Sequence, residues 1–280
     1  MKKKVLSVLL VAAMAVSGVA CAKDNGGKSS KSGSNDEPGS VEVTTDNEDF
    51  TYRKAGSGYK ITGLSDEGKK KDTLVIPAGM SSITGSISEG VAKHVTFESD
   101  DDVNINYFFA SSETLETVIL PANLAVLGNF SGCTALKEIT IPKDVTAIPD
   151  TCFSGDVSLE TVVIEGNVTE IGNQAFRNCK SLKTINFPDS ITSIGNTCFK
   201  GCENVSEITL PSGLKTVGEL AFADIGLQTI IVPEGLELEK WDTAAFGQLH
   251  NNYTVKVKEG SWADIHFEEV FTKTAVKEYY

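Results

Sequence analysis

Residues 159–181 read LETVVIEGNVTEIGNQAFRNCKS, and residues 182–204 read LKTINFPDSITSIGNTCFKGCEN. The two overlay without a gap, and that repeat decides the fold. Carried in both directions, the same alignment finds LETVILPANLAVLGNFSGCTA from Leu115, LKEITIPKDVTAIPDTCFSGDVS from Leu136, VSEITLPSGLKTVGELAFADIG from Val205 and LQTIIVPEGLELEKWDTAAFGQ from Leu227. The starts lie 21, 23, 23, 23 and 22 residues apart. Eroded units begin at Lys71 (KDTLVIP) and Ala92 (AKHVTFE), and a last strand is expected over 253–257. Self-similarity at this period is the mark of a solenoid, in which one unit is one coil and each coil stacks on the next.

Each unit opens with apolar residues at its first, fourth and sixth places, as in Leu136, Ile139 and Ile141. That pattern predicts one short strand per coil, with a buried face and an outward face. A proline usually follows (Pro77, Pro121, Pro142, Pro188, Pro211, Pro233) and ends the strand, because it has no N–H to give the ladder. An apolar pair such as Ile191 and Ile194 then turns the chain inward, and a phenylalanine closes the coil. Phe109, Phe130, Phe153, Phe176, Phe199, Phe222 and Phe246 recur at spacings of 21, 23, 23, 23, 23 and 24 residues. They are expected to stack as a buried spine opposite the strands. Eight or nine coils at the strand spacing give a core roughly 40 Å long.

A stack exposes its end faces, so caps are expected. Residues 50–62 (FTYRKAGSGYKIT) read as a hairpin turning at 56–58. Ser261-Trp-Ala-Asp264 opens a short amphipathic helix through a capping box, with Trp262, Ile265 and Val270 or Phe271 expected over the last coil. The fold expected is a mainly-β repeat solenoid with a hairpin cap over 49–70, repeats over 71–257 and a helical cap over 258–280.

The pattern L-x-x-I-x-[ILF]-P…I-x-x-I-G-x-x-[AC]-F-x-x-C resembles the BspA-like family of bacterial leucine-rich repeats over about residues 71–257. Departures are local: Glu165 stands where proline is expected and Asp156 where cysteine is. The resemblance implies a curved right-handed solenoid on a bacterial surface that binds host or microbial proteins. Members of the family share no single ligand, so the fold does not supply one.

The first residues read as an export signal over 1–20: Lys2, Lys3 and Lys4, then an apolar and small-residue run from Val5 to Val19. That run is short for a bilayer span, which needs about 20 residues. It ends in Ser17-Gly18-Val19-Ala20-Cys21, which resembles a lipobox although Gly18 stands where leucine is usual. Ordinary cleavage after Ala20 is the competing reading. The Gly/Ser/Asp/Lys-rich segment behind Cys21 favours lipidation, since residues 21–48 would make a tether of roughly 25–30 Å reach. The membrane would then be engaged through the lipid alone.

The formal net charge is −13, and removing the three lysines of the first twenty residues leaves −16. A chain so acidic repels phosphate backbones, which argues against nucleic acid. No phosphate loop, dinucleotide fingerprint or nucleophile elbow occurs. His94, His250 and His266 lie far apart in a linear stack, so no catalytic or metal centre is expected, and no cofactor. Cys133, Cys179 and Cys202 share a late place in their coils, while Cys152 and Cys198 precede the phenylalanine. That repeat placement reads as small buried thiols, with a Cys179–Cys202 bridge as the alternative. Asp100-Asp101-Asp102 lacks the glycine and terminal glutamate of a calcium loop and reads as a solvated bend.

The outward strand positions are therefore the candidate ligand surface: Ile119, Glu138, Thr140, Thr161, Val163, Thr184, Asn186, Glu207, Thr209 and Ile231. Ile119, Val163 and Ile231 are apolar, as a protein-binding face would be. β-Branched residues also suit an exposed strand without any ligand. Beside them the second place of successive coils alternates in sign (Asp72, Lys93, Glu116, Lys137, Glu160, Lys183), which neutralises that column. The function expected is a non-catalytic, monomeric binding or adhesion module that recognises a host or microbial surface protein. A spacer role in the envelope is the alternative.

Overall fold

The computed structural model describes residues 47–55, 58–242, 244–247, 249, 252–271 and 273–280. The expected export signal, Cys21 and the expected tether up to residue 46 lie outside them.

The strands, in chain order, are β1 Phe50–Ala55, β2 Gly58–Leu64, β3 Thr73–Ile76, β4 Met80–Ile83, β5 His94–Phe97, β6 Thr117–Val118, β7 Glu138–Ile141, β8 Ala147–Ile148 and β9 Thr161–Ile164. They continue as β10 Glu170–Ile171, β11 Thr184–Ile185, β12 Ser193–Ile194, β13 Glu207–Thr209, β14 Thr216–Val217, β15 Thr229–Ile231, β16 Lys240–Trp241, β17 Tyr253–Val257 and β18 Ala275–Tyr279. Two one-turn helices, α1 Trp262–Ile265 and α2 Phe267–Val270, precede β18.

Each coil contributes one rung, as the spacing predicts, and neighbouring rungs pair in parallel. The front row, built from the first strand of each coil, forms three ladders: β3-β5-β6, β7-β9-β11 and β13-β15-β17-β18. Coils in the middle also carry a second strand of two residues, and these join in one ladder, β8-β10-β12-β14-β16. This second row comes from the apolar pair after the proline. Ile148, Ile171, Ile194 and Val217 sit in register and are buried.

On the opposite side the seven phenylalanines are fully buried and stacked. Their ring centroids are 4.8–5.5 Å apart, with interplanar angles of 5–17°. A backbone column runs beside them: the N–H of Phe130, Phe153, Phe176, Phe199 and Phe222 each donates to the carbonyl of the residue before the next coil's phenylalanine, at 2.8–2.9 Å. Two residues per coil take left-handed backbone to turn this corner. One lies two places before the ring (Thr151, Gln174, Thr197, Leu220), the other two places after it (Ser111, Gly132, Gly155, Asn178, Gly201, Asp224).

All five described cysteines are free and buried. The thiols of Cys133, Cys179 and Cys202 donate to the carbonyls of Phe109, Phe153 and Phe176 at 3.0–3.1 Å, and Cys152 donates to Gly128 at 3.2 Å. Burial pushes their pKa values up, that of Cys202 to about 12. They are packing groups. The alternative of a Cys179–Cys202 bridge is not what the structure adopts.

The caps hold three confirmations and two corrections. β1 and β2 pair antiparallel, giving the expected hairpin, and β2 extends onto β4. At the other end Ser261 Oγ accepts from the Asp264 N–H at 3.3 Å, the capping contact expected, and Phe271 covers the last ring of the spine at 5.1 Å. Ile265, expected against the final coil, is instead 71% exposed. α1 is a single turn, and Ala263 occupies its buried side. The cap also contains β18, a strand that pairs with β17 over five residues where only a helix was expected.

Candidate binding surface

The ten outward residues alternate with buried partners, as period-two strands require. Ile139, Val162, Ile185, Ile208 and Ile230 point inward and are at most 8% exposed. On the outer side Glu138, Thr161 and Thr184 form one rung-to-rung column, and Thr140 pairs with Val163. Glu207 aligns with Thr229, and Thr209 with Ile231.

The ten do not form one continuous surface. Ile119 follows the β6 rung of the first ladder, six others lie on or directly beside the second, and Glu207, Thr209 and Ile231 belong to the third. No backbone hydrogen bond joins β6 to β7 or β11 to β13 among the described residues. The apolar trio is thereby scattered. Ile119 and Val163 are 62% and 45% exposed, but Thr140 stands between them, and Asn186 and Thr209 separate Val163 from the half-buried Ile231. Single apolar residues among polar neighbours are ordinary surface, so the apolar-patch argument fails.

The alternating charges form ion pairs at two of the four steps within a ladder. Lys93 reaches Glu116 at 3.7 Å, and Lys183 reaches Glu160 at 2.5 Å. Glu160 is held below the usual carboxylate range by the Lys183 hydrogen bond first and the Lys183 charge second. Across the β6–β7 break, Glu116 and Lys137 make no ion pair. Exposed pairs of this kind contribute at most about 1 kcal/mol.

What sequence reasoning missed is a cleft of about 510 Å³ at the second break. Thr184 and Asn186 line one side, Glu207 and Thr209 the other, with Phe187 and Pro233 among the remaining walls. The break coincides with Phe187, a ring at the sixth place where Ile141, Leu210 and Val232 stand in other coils. Phe187 packs edge-on against Phe199 of the spine at 5.7 Å. Ring size is no signal for the break, because Phe97 holds the same place within the unbroken β3-β5-β6 ladder.

The histidines do not converge. His94 Nδ1 bonds the Thr117 hydroxyl at 2.9 Å, His266 stacks on Trp262 at 4.6 Å, and His250 lies outside the described residues. Asp100, Asp101 and Asp102 are exposed, as a solvated bend requires, and Asp100 and Asp102 also accept from the N–H groups of Ala122 and Ala125 in the next coil. Among the described residues no group of three or more His, Cys, Asp or Glu is placed to hold a metal, and no helix is long and apolar enough to cross a membrane.

Three solved structures are matched at low identity. A leucine rich repeat protein of T. pallidum is 24% identical, with a TM-score of 0.47, over 68% of this chain and 85% of that one. A leucine rich cell surface protein from Faecalibacterium prausnitzii A2-165 is 17% identical, with a TM-score of 0.39, over 87% and 95%. The pneumococcal vaccine antigen PcpA is 13% identical, with a TM-score of 0.31, over 86% and 99%. No curated protein matches. The sequence profile of the BspA type leucine rich repeat region matches residues 67–183 and 169–279 with six copies. On that match, which spans the stacked coils and both strand rows, the chain belongs to the BspA-type leucine-rich-repeat family.

Proposed function

We propose that this protein is an exported, non-catalytic module of a bacterial surface that captures a protein partner on the front row of strands. The observation that carries this reading is the cleft between β11 and β13. It places side chains of two ladders around one concavity, and concave sites with a few convergent polar groups are where ligands seat. A spacer needs no such concavity. The family to which the chain belongs is one of repeat proteins. Cys21, lipidated, would hold the module to the membrane.

The test is capture of candidate host and microbial surface proteins by the full chain displayed on cells. Wild type should retain a partner that the Val163→Lys/Asn186→Lys double variant loses by at least about tenfold. Equal capture by both would remove the strand face from consideration, and no capture by wild type would favour the spacer. Cys21→Ala should release the chain from the membrane fraction; continued retention would exclude Cys21 as the lipid site.

A further inference from the structure

A second concavity lies away from the front strands, and its origin can be read residue by residue. In most coils the second-row residue precedes the spine phenylalanine by five places: Ile148 to Phe153, Ile171 to Phe176, Ile194 to Phe199, Val217 to Phe222. In the coil that starts at Leu115, only three places separate Leu127 from Phe130. Two residues are missing there. The ring nevertheless keeps its place in the spine, 4.8 Å from Phe109 and 5.5 Å from Phe153.

The next coil adds a second defect at the same point. Gly172, Gly195 and Gly218 each donate the second-row hydrogen bond to the coil before, reaching the carbonyls of Ile148, Ile171 and Ile194 at 2.8–2.9 Å. Pro149 occupies the equivalent place and has no N–H to donate. The ladder that starts at β8 is accordingly separate from the earlier one of β2, β4 and Asn104, and no backbone bond joins 124–128 to 146–150. Together the short coil and the proline open a notch of about 200 Å³. Its floor is tight: a Cβ on Gly128 would stand 2.6 Å from the Asn106 carbonyl.

The notch walls are unlike the rest of the surface. Tyr107 and Val126, from successive coils, are 71% and 67% exposed and both face this one space. Asn104 spends its Oδ1 on the Asn106 N–H at 3.1 Å, while its Nδ2 makes no hydrogen bond among the described residues. Asp150 accepts from the Asn173 backbone and side chain at 2.7 and 3.2 Å, which leaves lone pairs of its carboxylate open.

We propose that this notch is a subsite for one sugar ring of a glycan. An exposed tyrosine offers a flat apolar face with a polar rim, which suits the C–H face of a pyranose. An amide donor and a carboxylate acceptor beside it match neighbouring hydroxyls, which both give and take hydrogen bonds. The volume is below the roughly 300–1,000 Å³ of drug-sized pockets and holds a single ring. An extended peptide fits less well, because strand addition needs a run of free ladder groups and this row lacks one bond at one rung.

Saturation-transfer NMR on the full chain tests this with methyl β-D-galactopyranoside, methyl α-D-mannopyranoside and N-acetyl-D-glucosamine, each at millimolar concentration. At least one sugar should receive saturation. Its binding should weaken about five- to tenfold in Tyr107→Ala, whose exposed ring is not needed for folding. Inserting Thr-Cys between Asn129 and Phe130, which restores the regular coil length, should abolish the signal, with the thermal midpoint checking that the variant is folded. Val163→Lys/Asn186→Lys should leave the signal unchanged, which separates this site from the strand face. No saturation of any sugar, or equal saturation in Tyr107→Ala, overturns the proposal. So does a hexaproline peptide that binds at Tyr107 where no sugar does.

Discussion

The front strand row and the phenylalanine side are built from the same coils, yet one is in three pieces and the other is unbroken. The strand row loses its ladder between β6 and β7 and again between β11 and β13. The seven rings run from Phe109 to Phe246 with no gap larger than 5.5 Å, through the same two coil boundaries. The difference lies in how each interaction depends on position. A backbone hydrogen bond weakens steeply once its angle and distance leave a narrow range. Contact between stacked rings is spread over many atom pairs and depends on no single donor–acceptor angle. The breaks follow neither coil length nor ring size, since β3 and β5 pair across a 21-residue step with Phe97 at the sixth place. Clefts appear where the ladder fails, and the spine keeps the rod in one piece.

If the spine has this role, removing one ring should cost far more than any change on the strands. Phe176 sits between Phe153 at 5.3 Å and Phe199 at 5.2 Å with no exposed surface. Phe176→Ala is expected to lower the unfolding free energy by about 3–5 kcal/mol, read from the denaturant midpoint. Thr184→Ala on the exposed strand face is expected to stay within about 0.5 kcal/mol of wild type. Comparable losses in the two variants would mean that the ladders, not the rings, hold the coils together.

The second comparison is internal to the spine side. Cys133, Cys179 and Cys202 give their S–H to a carbonyl two rings back, and Asp156 stands at the same place without an exposed atom. One of its oxygens accepts from the Cys133 N–H at 2.9 Å, and the other has no partner. Burial outweighs the backbone bonds and pushes its pKa up to about 8 from 3.8. The folded state thus binds a proton more tightly than the unfolded chain does. Its stabilising contribution is complete below about pH 4 and is lost as pH rises through 8. Stability should fall by on the order of a few kcal/mol between pH 5 and pH 9. Asp156→Asn and Asp156→Cys should flatten that slope, and the cysteine variant, which restores the usual thiol, should be the more stable at pH 9. An Asp156→Asn profile parallel to wild type would place the pH dependence elsewhere.

Much of this was legible in the sequence because the repeat multiplies each signal. One phenylalanine says little, but seven at a common spacing locate a buried column, and the prolines mark where strands stop. Even the Glu165 departure has a local consequence that could be read: with an N–H in place of proline it adds a ladder bond to the Ile141 carbonyl at 3.1 Å. The second row was not legible, since two-residue strands such as Ser193–Ile194 carry no period of their own and exist only against their neighbours. β18 was missed for a related reason, because its pairing with β17 bridges residues 22 apart and a helix lies between. The candidate residues face outward, but the ladders that carry them are interrupted between β6 and β7 and between β11 and β13. Outwardness follows from alternation within one strand.

The smallest effect expected concerns the corners beside the spine, where each regular coil holds two left-handed residues and fills them unevenly. Gly155 has φ +83° in open space, with nothing within 4 Å of where a Cβ would lie. Thr197 has φ +50° and is β-branched, the kind of residue for which that backbone is most strained. Two substitutions therefore separate backbone strain from packing. Gly155→Ala adds a methyl group that touches nothing and should cost about 1 kcal/mol through the backbone alone. Thr197→Asn should gain about 0.5–1 kcal/mol, because asparagine tolerates the left-handed region. Both are read as shifts in denaturant midpoint at constant slope. If Gly155→Ala is neutral, the corner relaxes out of the left-handed region without cost, and the spine alone fixes the coil's path. If it is costly and Thr197→Asn stabilising, the corner is a strained element that the ring stack holds in place, as expected of a rod whose continuity resides on that side.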